Sequence, residues 1–108
     1  MTLTSTMFHI LVVLADGDLH GYAIMQEIDR ISDGSEAAGP TTLYRSIRQM
    51  RDLGLLRESK SRPAEDDERR RYYRITNAGR RAAIAEVDRL ERVTRVARSK
   101  RGLATRTA

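Results

Sequence analysis

Gly39-Pro40-Thr41-Thr42-Leu43-Tyr44-Arg45-Ser46-Ile47-Arg48-Gln49-Met50-Arg51-Asp52-Leu53-Gly54-Leu55-Leu56 reads as a short helix with a single apolar stripe. Leu43, Ile47, Met50 and Leu53 recur at spacings of four, three and three, which places them on one face of a helix with a 3.6-residue period. Thr42, Arg45, Arg48, Gln49 and Arg51 fill the other face. Such a face suits a DNA major groove. Arginine can pair bidentately with guanine and glutamine with adenine, while a threonine methyl can touch the thymine methyl. Gly39 stands where a helix cap is expected, and Pro40 at the first helical position, where a missing N–H costs nothing. Gly54 ends the helix.

Working outward, a first helix is expected from about Thr4 to Ala15. Met7, Ile10, Leu11 and Leu14 form its main apolar face, and Phe8 and Val12 a second stripe. A helix apolar nearly all round is buried on more than one side. After the turn Asp16-Gly17-Asp18, a second helix runs from about Gly21 to Ile31. His20 is its cap, Leu19 and Ile24 bracket that cap as a hydrophobic staple, and Ile24, Ile28 and Ile31 form its stripe. Three short helices, the third exposing contact side chains, make a helix-turn-helix variant.

Past Gly54 the pattern changes. Leu55 to Lys60 opens a strand, and Arg71-Tyr72-Tyr73-Arg74-Ile75 is a clearer one, rich in β-formers. Alternation predicts Tyr73 and Ile75 inward, with Tyr72 and Arg74 outward. Ser61 to Arg70, containing Pro63 and the acidic run Glu65-Asp66-Asp67-Glu68, is too polar to bury and reads as a long hairpin tip, or wing. Thr76 then caps a last helix over about 77–98, where Ile84, Val87, Leu90, Val93 or Thr94, and Ala97 recur among charged residues. That helix is too long for so small a domain to cover, and its stripe asks for a copy of itself across a two-fold axis. The expected fold is therefore mainly α with a small β-hairpin. A winged helix-turn-helix over 1–76 is followed by a dimerisation helix over 77–98 and a disordered basic tail over 99–108. A chain of 108 residues supports one such core, burying about 60–70% of its unfolded surface.

Charge is distributed unevenly. Residues 1–38 carry one basic and six acidic side chains, 1 − 6 = −5, and residues 39–108 carry nineteen basic and nine acidic, 19 − 9 = +10. A basic surface confined to one helix and one hairpin is the electrostatic footprint of a nucleic-acid binder. With no cysteine there is no disulfide framework, thiolate metal site or cysteine nucleophile. His9 and His20 alone make no metal site, and His20 reads as a cap. The apolar run Met7 to Ala15 lacks a basic leader and is too short to span a bilayer, so a cytoplasmic protein without a membrane partner is expected. Enzyme chemistry finds no support. There is no phosphate-cradling glycine loop or nucleophile with a base, and Asp16 and Asp18 sit on a turn without a partner acid. No cofactor is implied.

Phe8-His9-Ile10-Leu11, Leu19-His20-Gly21-Tyr22-Ala23-Ile24, Thr42-Leu43-Tyr44, Leu53-Gly54-Leu55-Leu56 and Arg70-Arg71-Tyr72-Tyr73-Arg74-Ile75-Thr76 with Gly79 occur in order along the chain. Together they resemble the PadR family of bacterial transcriptional regulators, over about residues 3–90. The resemblance implies a winged helix-turn-helix homodimer, mostly a repressor, paired through the C-terminal helix and in part the first. It also implies a small aromatic or cationic effector at or near the dimer interface. Two positions depart from the family pattern: Thr41 replaces a usual glycine and Arg45 a usual proline, which points to an operator of its own.

The expected DNA-binding residues are Thr41, Thr42, Tyr44, Arg45, Arg48 and Gln49 on the third helix, with Lys60, Arg62, Arg69 and Arg70 at the hairpin. The acidic run at 65–68 argues against phosphate contact by the wing apex. Phe8, Val12, Ile84, Val87, Leu90, Val93 and Ala97 are the expected dimer interface. Double-stranded DNA carrying a palindromic operator is the expected partner, with half-sites about 34 Å apart. Met7, Phe8, Val12, Leu90 and Val93 read as dimer core, with an effector pocket as the competing reading. The competing function is a winged-helix module that binds another protein and has lost DNA binding, against which the exposed arginines of the third helix argue.

Overall fold

The computed structural model describes residues 2–60 and 70–104. The elements follow in the order α1 (Ser5–Leu14), β1 (Leu19–His20), α2 (Gly21–Ile31), α3 (Pro40–Asp52), β2 (Leu56–Ser59), β3 (Tyr72–Ile75) and α4 (Asn77–Arg98). This is a winged helix-turn-helix with a long C-terminal helix. Each helix starts on a signal legible in the chain. Thr4 accepts from the Met7 N–H at 3.1 Å, and His20 Nδ1 from the Ala23 N–H at 3.2 Å. The Thr76 hydroxyl accepts from the Gly79 N–H at 3.0 Å, while Gly39 and Pro40 open α3. Caps of this kind satisfy amide groups that the first turn leaves orphaned.

The end of α3 departs from the stripe expected for it. Gly54 takes φ +76°, its N–H bonds the Arg51 carbonyl at 3.0 Å, and the Leu55 N–H bonds that of Met50 at 2.9 Å. This double bond is the Schellman arrangement, which turns the chain at the cap and brings the following apolar residue back onto the helix. Leu53, at the cap itself, is consequently half exposed, and Leu55 takes its place in the core. Ile31, at the end of α2, is likewise exposed, because the chain turns there through Asp33 and Gly34, both at positive φ.

The sheet has three strands, in the order β1-β3-β2 and antiparallel throughout. The third strand was not expected: Leu19 and His20 pair with Tyr73 and Tyr72, so Leu19 serves the sheet as well as the start of α2. The same pairing corrects the side assigned to Tyr72. His20 lies against its ring edge-on, with centroids 5.3 Å apart, and Tyr72 is buried together with Tyr73 and Ile75. A strand covered on both faces loses the alternation that a half-buried strand shows.

Leu3, Met7, Ile10, Leu11 and Leu14 meet Ile24 and Ile28 of α2, Leu43, Ile47 and Met50 of α3, and Leu55, Leu56, Tyr73 and Ile75. From α4, Ala82 and Ala83 pack against this core, and the buried Gly79 lies against Leu55 and Ile75. Ser99 to Leu103 continues α4 in a turn, with the Leu103 N–H on the Lys100 carbonyl at 3.2 Å. No helix among the described residues is long and apolar enough to cross a membrane.

Candidate nucleic-acid interface

Leu43, Ser46, Ile47 and Met50 are buried, and this fixes how α3 presents its other side. Thr41, Thr42, Tyr44, Arg45, Arg48 and Gln49 are all exposed on that side. Among the described residues Arg45 and Arg48 make no ion pair, whereas Arg51 lies 3.7 Å from Glu58, which Arg71 approaches at the same distance. The structure thus separates two arginines aimed outward without an internal anion from one held at the root of the hairpin. Lys60 is exposed just beyond β2, and Arg70 is exposed just before β3. Arg62, Arg69 and the acidic run 65–68 lie outside the described residues.

Tyr44 is placed by α2 as much as by α3. An added Cβ on Gly21 would run into the Tyr44 hydroxyl and lie 2.7 Å from its ring atoms. The absent side chain at 21 therefore makes room for the tyrosine, which crosses the first turn of α2 and stays half exposed. His20, Gly21, Tyr22, Tyr44, Arg71 and Tyr73 line a polar cavity of about 280 Å³ here, with Arg70 at its edge. Sequence reasoning assigned none of His20, Tyr22, Arg71 or Tyr73 to a site. Their proximity depends on the β1–β3 pairing, which a two-residue strand does not announce.

The hairpin is anchored by Asp18, which the sequence left without a partner. Its carboxylate accepts from Arg74 Nε at 2.9 Å and Nη2 at 2.7 Å, and from the Ser59 hydroxyl at 2.6 Å. One side chain thus ties the turn before β1 to both strands of the hairpin. The Arg74 guanidinium holds the Asp18 carboxyl below the usual aspartate range; partial burial pushes the other way, and the Ser59 hydroxyl adds to the lowering. A carboxylate whose folded pKa is lowered contributes stability above its unfolded pKa of about 4, and that contribution is lost as pH falls through the folded value. Asp18→Asn should therefore cost on the order of 1–3 kcal/mol at pH 7. The difference from wild type should shrink as urea denaturation is repeated at progressively more acidic pH. A constant difference would remove the charge from the account.

Along α4 runs an uncovered apolar stripe. Ile84 is 61% exposed, Val87 40%, Leu90 37%, Val93 51% and Val96 49%. Val96 joins the stripe that the sequence defined, while Ala97 is half-buried. Val12 of α1 is exposed and Phe8 half-buried on the same side. Phe8, Val87, Leu90 and Thr94 border a cavity of about 500 Å³ with Glu91, Arg95 and Arg98 on its rim.

An exposed arginine-bearing helix on a winged helix-turn-helix, with a long apolar helix behind it, defines the class of winged-helix transcriptional regulators. Residues 10–85 match the transcriptional regulator PadR-like family, and the chain belongs to that family. The family is one of transcriptional regulators. Transcriptional regulator Rv3488 of Mycobacterium tuberculosis is 37% identical over 87 residues, 81% of this chain and 77% of that protein. An uncharacterized 37.1 kDa protein in transposon TN4556 of Streptomyces fradiae is 34% identical over 85 residues, 79% of this chain; the match spans only 23% of that protein's length. The fold is that of Bacillus subtilis PadR, whose crystal structure was solved in complex with operator DNA. The two superpose with a TM-score of 0.67 at 19% identity, covering 80% of this chain and 48% of that one.

Proposed function

We propose that this protein is a sequence-specific, double-stranded DNA-binding regulator that acts as a homodimeric repressor on a palindromic operator. The observation that carries the reading is the outer face of α3. Among the described residues Arg45 and Arg48 stand exposed without an internal ion pair, flanked by Thr41, Thr42, Tyr44 and Gln49. Phosphate contacts from the hairpin residues would set the register, and base contacts from α3 would specify the site. Dimerisation through α4 covers its apolar stripe, and repression follows from excluding RNA polymerase. The operator complex of the Bacillus subtilis protein supports the same docking for this fold. The cavity beside Phe8 is the place for an effector that relieves repression: the ring offers a stacking face for an aromatic compound, and Glu91 a carboxylate for a cationic group.

Fluorescence anisotropy on the chain's own promoter-region DNA and on a scrambled duplex, each across a salt series, tests the reading. The promoter should bind more tightly at physiological salt, with log affinity falling linearly against log salt. Absence of binding to either duplex at low salt would instead favour a protein-interaction module. Arg48→Ala should weaken binding to the operator by about 1–3 kcal/mol and relax the preference for it over the scrambled duplex. An unchanged affinity would take Arg48 out of the site.

A further inference from the structure

We propose that the polar cavity between the start of α2, Tyr44 of α3 and strand β3 is the seat of one backbone phosphate of the bound duplex. Tyr22, Tyr44 and Tyr73 would offer hydroxyl donors there, with His20 and Arg71 beside them. The proposal rests on the DNA-binding reading above and adds a site to it.

Three independent features of the cavity call for an anion. The first is Tyr73. It is 95% buried, being only 5% exposed, it lines the cavity, and its hydroxyl makes no hydrogen bond to another described residue. Burial raises its pKa, so the group stays a donor. Buried polar groups almost always have a partner, and here the cavity supplies the space for one.

The second is His20. Its Nδ1 accepts from the Ala23 N–H, and in a neutral imidazole that leaves the proton on Nε2. That N–H lines the cavity and is a donor for an acceptor seated there, with Arg70 Nη1 3.4 Å from it.

The third is the close approach of Tyr44 to Gly21, which sets the hydroxyl over the first turn of the 11-residue helix α2. Helix N-termini favour anions. Tyr44 belongs to the same exposed face as Thr41, Arg45 and Arg48, so a duplex laid against α3 carries its sugar-phosphate backbone past the cavity mouth. A free phosphate ion offers the same chemistry, and the two sources separate by experiment.

Tyr73→Phe and Arg71→Gln are compared with wild type by anisotropy on operator and scrambled duplexes. Tyr73→Phe should leave the urea midpoint of the free protein unchanged or raised, because it removes a hydroxyl without a partner. It should nonetheless bind both duplexes several-fold more weakly, by the same factor. Arg71→Gln should do likewise and lower the slope of log affinity against log salt by about one. In an operator scanned with single methylphosphonates, one position should weaken wild type but have no further effect on either variant.

Variants that bind as tightly as a wild type that does discriminate its operator would overturn the seat and leave the DNA-binding reading standing. A wild type that binds neither duplex would overturn both. Stabilisation of the protein by micromolar inorganic phosphate, with DNA affinity unaffected in both variants, would overturn the backbone assignment in favour of the free ion.

Discussion

Leu90→Glu should give a monomer whose affinity for the operator is about two orders of magnitude or more below that of wild type. Leu90 lies at the middle of the α4 stripe and is 37% exposed in the single chain. It takes no part in the core built from α1, α2, α3 and the strands. The substitution therefore strikes the proposed pairing surface and spares the fold. Two carboxylates placed near the two-fold axis would be buried against an apolar partner, a cost that a side chain in the free monomer does not meet. Once monomeric, each DNA-reading head binds a half-site alone and loses an avidity gain of about 10²–10⁴. Light scattering gives the mass and circular dichroism the helix content. A stable dimer in this variant would disprove the interface, and a loss of helicity in the head would show that Leu90 serves folding instead.

Gly79→Ala should be the most damaging small substitution in the chain. On helix propensity alone the change should stabilise, since alanine is the better helix former by about 1 kcal/mol. Packing decides otherwise. The added methyl would run into the Leu55 carbonyl oxygen and lie 2.9 Å from Ile75 Cγ1. A backbone carbonyl cannot rotate aside as a side-chain tip can, so α4 would have to lift from the loop that follows α3. Overpacking of this kind costs about 1–3 kcal/mol and occasionally more, and the upper end applies where backbone meets backbone. A net loss of about 2 kcal/mol is expected after the propensity gain, visible as a lowered urea midpoint. A midpoint equal to or above wild type would mean that α4 moves more freely than its contacts with Leu55 and Ile75 suggest.

Much of the fold was legible because its signals are local. His20 and Thr76 cap helices in the structure as they do on paper, and the bounds of α2 and α4 follow from those caps and from periodicity. The exposed face of α3 was legible for the same reason: once Leu43, Ile47 and Met50 face inward, helix geometry leaves Thr41, Arg45 and Arg48 outside. Features that depend on distant partners were not. Tyr72 is buried because His20, fifty-two positions earlier, pairs with it. Asp18 finds Arg74 and Ser59 across the sheet. Leu53 loses its expected burial to the Schellman turn, where Leu55 competes for the same space. The polar cavity shares the first of these causes, since it needs the β1–β3 pairing together with the close approach of Tyr44 to the glycine at 21.

Thr76 has a consequence beyond its cap. Its hydroxyl accepts from the start of α4 and donates to the Gly54 carbonyl at 2.6 Å, while its N–H bonds the Leu55 carbonyl at 3.2 Å. The foot of α4 and the tail of α3 are thus riveted through one residue. At about 1.5 Å per residue, the 22 residues of α4 make a lever about 33 Å long with its fulcrum at that rivet. In a pair joined along α4, a change of crossing angle finds no slack to absorb it there and swings each α3 bodily, so the gap between the two reading heads is governed from the far end of the molecule.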